Sequence, residues 1–381
     1  MPPLHFFIFL FYNMTLHVFN PQHDMALAAN QWQFTAPKAG RQLAEELDWL
    51  PSLWAEEGDA VLVHDLLRAQ TAIQGLKPLA RDVLFLTPNQ LAGQDITAVK
   101  PWGWDRSIAH DLRRWGVPSH VLPTDDTLDA IREMSHRRWA SGHLLPMLRS
   151  IGATVVGEST YHETLPTWHS PVVLKSPWSC SGRGVRYALD AAQWERQQTW
   201  ASQVIHRQGG IMLEPYYRKV CDFAMEFDST EEGVVYRGLS LFHTHHGGYT
   251  GNIIASERWK LDQLSRYVSS NLLEKIKCDI CEYILAFLRP IYKGPFGVDM
   301  MVVEDEGKYL LHPCVELNLR MTMGHVALSL AERATKMPSL MAIEYNGHYT
   351  FNNYLITNDN DKKIISDWDV HRPNDVAGAE L

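Results

Sequence analysis

Residues 296–320 read FGVDMMVVEDEGKYLLHPCVELNLR and predict two strands joined by a tight turn at Glu306 and Gly307. In a regular antiparallel hairpin with this turn, Asp299 pairs with Cys314 and lies diagonal to Glu316. Because successive side chains point to opposite faces, polar and apolar residues separate. The polar face carries Asp299, Cys314, Glu316, Asn318 and Arg320, and the apolar face carries Val298, Met300, Val315 and Leu317.

The polar face of this hairpin has the composition of a magnesium site. Mg²⁺ prefers oxygen ligands and usually takes one or two carboxylates together with substrate phosphates. A solvated face is the alternative interpretation, since antiparallel sheets often expose one side to water. Asn318 and Arg320 beside the two carboxylates favour the site, because a merely solvated face has no need of all four groups.

The stretch VVLKSPWSCSGRGVRY (172–187) is the second informative one: a short apolar strand ends at Lys175, and a loop of small residues follows. Backbone N–H groups of such a loop can approach an anion, and Arg183 and Arg186 can pair with phosphate. The stretch is not a P-loop, and no Gly-x-Gly-x-x-Gly fingerprint follows a strand. A strand with an ordinary surface turn is the alternative interpretation.

A third stretch, IMLEPYY (211–217), predicts a strand that runs into Glu214 and Pro215, where regular pairing must stop. The exposed backbone edge at this point can hydrogen-bond a flat heterocycle, with the tyrosines packed around it. An ordinary strand end is the alternative.

The composition bounds the class of protein. The 381 residues are 45% hydrophobic and 21% charged, as in an ordinary globular protein, and are enough for two or three subdomains. The net charge of −9 disfavours a nucleic-acid partner, which usually meets a basic face. The five cysteines are odd in number and scattered, so a reducing cytoplasm fits better than a disulfide framework. Cys278 and Cys281 are expected to be two helix thiols.

The apolar run at residues 4–12 is too short to span a bilayer and lacks the flanks of a secretory signal. We therefore expect no membrane partner and interpret residues 1–13 as an N-terminal extension outside the fold, with a membrane-associated leader as the alternative. Alternating strands and helices predict an open, mainly parallel α/β layer over 14–125. Strands and helices that cluster separately predict an α+β region over 126–345, followed by a peripheral tail, 346–381.

The order of these pieces resembles that of the ATP-grasp superfamily: a strand lysine with a glycine loop, then LEPYY, then GVDMMV and VELNLR. The resemblance covers about 126–345, and 14–125 looks like the N-terminal pre-ATP-grasp subdomain. It implies an α/β plus α+β fold in which two α+β lobes, about 126–217 and 218–345, clasp ATP.

The resemblance also implies roles for individual residues. Arg138 is a further phosphate contact, although Arg137 is equally well placed, and Asp222 is a ribose partner. The ion is Mg²⁺, with Mn²⁺ as the alternative. The catalytic residues are Lys175 and Arg320; the phosphate loop is Ser181, Gly182, Arg183 and Gly184; the adenine pocket is Glu214, Pro215, Tyr216 and Tyr217; and the metal ligands are Asp299, Glu316 and Asn318.

The reaction that the resemblance implies is ATP-dependent ligation. A small-molecule carboxylate is phosphorylated to an acyl-phosphate, and an amine or similar nucleophile displaces the phosphate, which releases ADP and phosphate. A non-catalytic nucleotide-binding module and a kinase of the same fold are the alternatives. Whether the chain forms a homodimer is left open.

Two stretches are candidates for binding the substrate. SLFHTHHGGYTGNIIAS (240–256) brings His243, His245 and His246 beside a flexible segment, and a surface loop is its alternative interpretation. NPQHDMALAAN (20–30) follows the first strand, where ligands often contact an open α/β layer. Its candidate residues are Asn20, His23 and Asp24.

Overall fold

The computed structural model describes residues 14–77, 79–179, 182–245, 248–334 and 337–356. Three β-sheets organise this part of the chain, one parallel and two antiparallel. None of the helices in these residues is long and apolar enough to cross a membrane.

The first sheet contains four parallel strands in the order β3-β2-β1-β4. This confirms the open parallel layer expected from the alternation of strands and helices. Its strands are β1 (Met14–Val18), β2 (Ala60–Leu62), β3 (Leu84–Leu86) and β4 (Ile96–Pro101). Its helices are α1 (His23–Ala29), α2 (Lys38–Glu46), α3 (Leu66–Gln74) and α4 (Arg106–Arg114), with 3₁₀ turns at Leu50–Leu53, Pro88–Gln90 and Ser119–Val121.

A helical segment then leads to the second sheet. The segment comprises α5 (Asp125–Met134), α6 (Arg137–Trp139), a π turn (Ala140–Leu144) and α7 (Leu145–Arg149). The sheet is antiparallel, in the order β5-β8-β6-β7, and α8 (Ala191–Gln208) connects two of its strands. Its strands are β5 (Thr160–His162), β6 (Val172–Lys175), β7 (Val185–Ala188) and β8 (Ile211–Pro215).

The third sheet has seven antiparallel strands in the order β13-β12-β9-β10-β11-β14-β15. Its strands are β9 (Lys219–Ser229), β10 (Val234–His245), β11 (Gly248–Ile254), β12 (Gly294–Asp305), β13 (Lys308–Asn318), β14 (Ser339–Tyr345) and β15 (Tyr349–Leu355). Its helices are α9 (Glu257–Leu264), α10 (Ser270–Phe287) and α11 (Met323–Ala331). The strand-rich and helix-rich runs predicted after residue 126 therefore form two α+β units.

Two boundaries differ from the sequence-based expectation. The predicted tail begins at 346, yet β15 pairs with β14 over its full length as an edge strand. The helical segment at 125–149 was assigned to the unit of the second sheet, yet Ile131, Leu144 and Leu148 pack in the same apolar cluster as Phe223 of the third sheet. Apolar burial decides this placement, since the helical periodicity alone does not say which sheet a helix covers.

The β12–β13 hairpin departs from regular register. Asp305 pairs with Lys308 and Met301 with His312, but Asp299 then pairs with Glu316, so the predicted partner Cys314 is wrong. Three residues, Pro313 to Val315, oppose Met300 alone. Pro313 cannot donate a ladder hydrogen bond, which explains why the strand bulges here.

The bulge reverses the two side chains inside it. Cys314, predicted on the polar face, is buried in the main apolar cluster, and Val315, predicted in the core, lines a cavity. Beyond the bulge the register has moved by two residues, so Glu316 keeps its predicted face and lies directly opposite Asp299.

Candidate functional site

A cavity of about 940 Å³ lies where the three sheets meet. Its wall includes side chains from the part of the chain that is built on the first sheet, called the first unit here. Further side chains come from β6 and β8, and from the third sheet with α11. Most of the predicted site residues line it: Asp24, Lys175, Gly182, Arg183, Glu214, Pro215, Tyr216, Tyr217, Asp222, Asp299, Glu316, Asn318 and Arg320. The cavity therefore brings together residues that are almost 300 positions apart in the sequence.

Lys175 ends β6, a strand held between β7 and β8. Its side chain is buried, and its Nζ lies 2.5 Å from Oε2 of Glu214, which is also buried. Removing two charges from water is costly, so the pair depends on its close contact. The cation is thus fixed at the cavity wall, where an anionic ligand can share it.

The loop after β6 contains two glycines whose backbone geometry leaves no place for a larger residue. Gly182 has φ +72°, in the left-handed region that favours glycine, and it lines the cavity with Arg183. A Cβ on Gly184 would lie 2.3 Å from Ser179, so that position has no room for a side chain. Gly184 itself does not line the cavity, and Ser181 lies outside the described residues.

Arg137, rather than the predicted Arg138, reaches the cavity. The Arg137 guanidinium contacts Glu316 at 2.7 Å and donates to the Ser176 carbonyl at 2.5 Å and to Ser179 Oγ at 2.9 Å. It therefore ties the loop after β6 to the acidic hairpin. Arg138 points to the other side and pairs with exposed Glu133, so the sequence-based choice is corrected. Adjacent helical residues point about 100° apart, and the sequence did not say which one faces the sheets.

The acidic residues Asp299 and Glu316 of the hairpin lie opposite each other, and both line the cavity. Burial and the nearby charge of Glu316 raise the pKa of Asp299 to about 7. Asn318 Oδ1 accepts a hydrogen bond from Arg320 at 2.8 Å, and Arg320 Nε donates to Asp24 at 3.0 Å. Within the described residues no group of three or more His, Cys, Asp or Glu is arranged to hold a metal ion, so any ion here depends on two carboxylates and the Asn318 amide.

The end of β8 forms an aromatic wall. The ring of Tyr217 meets that of His312 edge to face at 5.6 Å, and burial raises the pKa of Tyr217 to about 12. The backbone N–H of Tyr216 donates to the Pro171 carbonyl at 3.1 Å, so it already has a partner. Close by, Asp222 accepts hydrogen bonds from Thr244 and Lys219.

The three candidates in the first unit separate into two roles. Asn20 and His23 are buried and hold the loop after β4: Asn20 Nδ2 donates to the Gly103 carbonyl at 2.8 Å, and His23 Nδ1 lies 3.3 Å from Asp105. Neither lines the cavity, so their predicted substrate role is not supported by their position. Asp24 does line it and pairs with Arg320.

The predicted histidine cluster lies outside the cavity wall as far as it is described. His243 is on β10 but does not line the cavity. The side chain of His245 and the whole of His246 lie outside the described part of the chain. The apolar and polar residues of the same stretch, Phe242, Tyr249 and Asn252, line the cavity instead.

Glu226 is the main residue that sequence reasoning missed. It lies on β9, its side chain is 2% exposed, and its Oε2 is 3.1 Å from Nδ1 of His325. Nε2 of His325 lies 3.1 Å from the Phe227 carbonyl, which only accepts, so Nε2 carries the proton and Nδ1 is an acceptor. Burial and the charge of Asp299 raise the pKa of Glu226 to about 8, consistent with a protonated carboxyl beside that acceptor.

No family model matches the sequence, and no curated protein matches it. Solved structures that are similar include N5-carboxyaminoimidazole synthetase from Staphylococcus aureus complexed with ADP, at 10% identity and a TM-score of 0.49, covering 93% of this chain and 97% of that one. The biotin carboxylase domain of Hydrogenobacter thermophilus 2-oxoglutarate carboxylase, complexed with MgADP, ADP and bicarbonate, has 12% identity and a TM-score of 0.48, covering 87% and 74%.

A protein from Archaeoglobus fulgidus described under the ATP-grasp superfamily has 12% identity and a TM-score of 0.44, covering 90% of this chain and all of that one. Identities this low, with TM-scores below 0.5, assign no activity to this chain. Its function has to be argued from its own residues.

Proposed function

We propose that the protein is an ATP- and Mg²⁺-dependent ligase of the ATP-grasp type, which phosphorylates a carboxylate and couples it to an amine or similar nucleophile. The observation that carries the proposal is the convergence of the Lys175–Glu214 pair and the opposed Asp299 and Glu316 on one cavity, joined by Arg137. A cation, an acidic pair and a donor-rich loop are the groups that phosphoryl transfer requires.

The residues of the cavity fit a bound Mg²⁺. Asp299 and Glu316 lie opposite each other, Asn318 follows on the same strand, and all three offer hard oxygen ligands. Burial and the Glu316 charge raise the pKa of Asp299 to about 7, and the charge of Arg320 opposes this shift only in part. A divalent ion would supply that positive charge and neutralise phosphate oxygens.

The proposed reaction has two steps. An oxygen of the substrate carboxylate attacks the γ-phosphorus of ATP, the bond from that phosphorus to the bridging oxygen breaks, and ADP leaves. The nitrogen of the amine then adds to the acyl carbon, the bond from that carbon to the phosphate oxygen breaks, and the amine proton leaves with phosphate or to water.

Three of the basic side chains that line the cavity have proposed roles in the first step. Lys175, fixed by Glu214, is placed for the phosphates, and Arg183 can cover them from the loop. Arg320, oriented by Asp24 and Asn318, faces the cavity beside the acidic pair and is placed for the substrate carboxylate or the acyl-phosphate. Charged groups fixed in advance stabilise a transition state without reorganising.

The test measures ADP release from the full chain with Mg²⁺, ATP and a panel of carboxylic acids, with and without amines. Hydroxylamine is added in parallel, because an acyl-phosphate yields a hydroxamate and a phosphorylated hydroxyl does not. Hydroxamate formation that depends on the added carboxylic acid supports the ligase. ADP release without hydroxamate would identify a kinase, and nucleotide binding without any turnover would identify a binding module.

A further inference from the structure

The cavity extends well beyond the acidic pair. Its wall runs across the third sheet from Glu316 on β13 to Tyr349 on β15. Six strand spacings separate β13 from β15, which corresponds to roughly 29 Å across the sheet. The half that includes Lys175 and the acidic pair is the proposed nucleotide site, so the half under the first unit, called the far chamber here, is available to a second ligand.

The far chamber is largely apolar. Its apolar wall is built by side chains from the first unit and from β10, β14 and β15, which are Met25, Leu43, Trp102, Phe242, Ile343 and Tyr349. Among the described residues that line this half, the one cation is Arg320, and it already pairs with Asp24. A phosphorylated or polyanionic substrate would need several cations here, so the wall favours an apolar or aromatic ligand.

Among the described residues of this wall, the buried carboxyl is that of Glu226. Glu226 is held in a space that two glycines leave open: a Cβ on Gly324 would lie 1.9 Å from its Oε1, and a Cβ on Gly297 would lie 2.4 Å from its Oε2. The glycines come from α11 and β12, two separate elements that approach the same carboxyl. Side chains at these positions would displace the carboxyl, so its place in the chamber is built into the fold.

A hydrogen-bonded chain of three side chains ends beside the same carboxyl. Tyr249 donates to Asn252 Oδ1 at 2.6 Å, and Asn252 Nδ2 donates to Ser240 Oγ at 2.7 Å. The space for a Cβ on Gly324 adjoins both Ser240 Oγ and Glu226, so Ser240 lies beside the carboxyl. Since its oxygen accepts from Asn252, the Ser240 proton is available to the carboxyl or to a ligand.

Glu226 and Arg320 both line this half of the cavity, and Thr322, two residues after Arg320, meets the same space beside Gly297 as the Glu226 carboxyl. A ligand that places its carboxylate at Arg320 therefore has an acidic group within reach of a neighbouring amine. We propose that the far chamber binds an α-amino acid, or a similar amino-bearing carboxylic acid, with an apolar or aromatic side chain: Arg320 receives the carboxylate, Glu226 the amino group, and the apolar wall the side chain. This rests on the proposed function, because it names the acid that would be phosphorylated.

The test is calorimetric titration of the full chain, saturated with Mg²⁺ and a non-hydrolysable ATP analogue, against three ligands. L-phenylalanine has all three features, 3-phenylpropionate lacks the amine, and O-phospho-L-serine replaces the ring by a phosphate. We expect L-phenylalanine to bind about tenfold more tightly than either of the others, the ratio for one charged hydrogen bond. An ammonium beside Glu226 favours the ionised carboxylate, a form that Gln cannot adopt, so Glu226→Gln should bring L-phenylalanine to the affinity of 3-phenylpropionate and leave the latter unchanged.

The exposed Glu232→Gln serves as the control and should preserve the preference. Should Glu226→Gln not fold, Leu43→Lys provides the second variant, and it should weaken both phenyl ligands while favouring O-phospho-L-serine. Tighter binding of O-phospho-L-serine by the unmodified chain, equal effects of Glu226→Gln on both phenyl ligands, or no binding of any acid to the nucleotide-loaded protein would overturn the inference. Failure of the ATP analogue itself to bind would instead count against the proposed function.

Discussion

The two ends of the cavity differ in how their groups are held. At the nucleotide end, charged side chains occur in close pairs: the buried Lys175 with the buried Glu214, and the buried Arg137 with the partly exposed Glu316. At the far end, the Glu226 carboxyl lies against His325, Ser240 and two glycines, and no Lys or Arg among the described residues forms an ion pair with it. In our proposal, the paired charges hold phosphate and metal, whereas the apolar wall with its acidic group selects the body of the substrate.

The two ends of the cavity also differ in how far apart along the chain their residues lie. The Lys175–Glu214 and Asp299–Glu316 pairs each come from adjacent strands of a single sheet. The far chamber takes Met25 from α1, Glu226 from β9 and Tyr349 from β15. We expect substitutions at the nucleotide end to abolish ADP release, and substitutions at the far end to change which acid is bound.

The largest expected effect is on the acidic pair. Glu316→Gln removes one of the two opposed carboxylates and should lower metal-dependent ADP release by at least about 100-fold, because charge in the transition state is left uncompensated. Steady-state assays over a range of Mg²⁺ concentrations measure it. Asp305→Asn, at the exposed tip of the same hairpin, is the control. Turnover of Glu316→Gln equal to that of the control would refute the metal assignment.

Arg137 and Arg138 form a natural matched pair. Arg137→Met removes the buried partner of the partly exposed Glu316 and should lower the free energy of unfolding by about 1–3 kcal/mol. Arg138→Met breaks an exposed contact with Glu133 and should cost less than about 1 kcal/mol. Urea denaturation of both variants gives the comparison. Equal losses would show that Arg137 does not join the two sheets.

Lys175→Met tests whether the lysine serves the nucleotide. The variant keeps the length of the side chain but loses its charge, so the Kd for the ATP analogue should rise about tenfold or more. Lys308→Met, exposed on the hairpin turn, is the matched control and should bind the analogue like the unmodified protein. An unchanged Kd in Lys175→Met would place the phosphates elsewhere.

A further prediction concerns the dependence of stability on pH, which is small within one unit of neutral pH. Burial and three neighbouring arginines lower the pKa of His136 to about 3, against about 6.5 when unfolded. The unfolded chain thus binds more protons than the folded one between these values, and stability should fall as pH drops below 6.5, by up to about 1.4 kcal/mol per unit. His136→Phe should show a shallower decline in thermal unfolding. An identical decline would assign the acid sensitivity to other groups.

Local patterns predicted much of the nucleotide end. The alternation in residues 296–320 placed Asp299 and Glu316 on one face, and the strand ending at Lys175 was identified correctly. The bulge at Pro313 was missed, although proline in a strand was the available signal. The choice of Arg138 over Arg137 failed because both residues have the same chemistry and only packing distinguishes them.

Periodicity and residue type are local properties, and they determined the strands, the parallel first layer and the acidic face of the hairpin. Tertiary structure alone decided that Asp24 meets Arg320 across 296 residues, that Glu226 lies between Gly297 and Gly324, and that β15 completes the third sheet. These contacts depend on which apolar surfaces bury each other, a property of the whole chain that no short stretch of sequence contains.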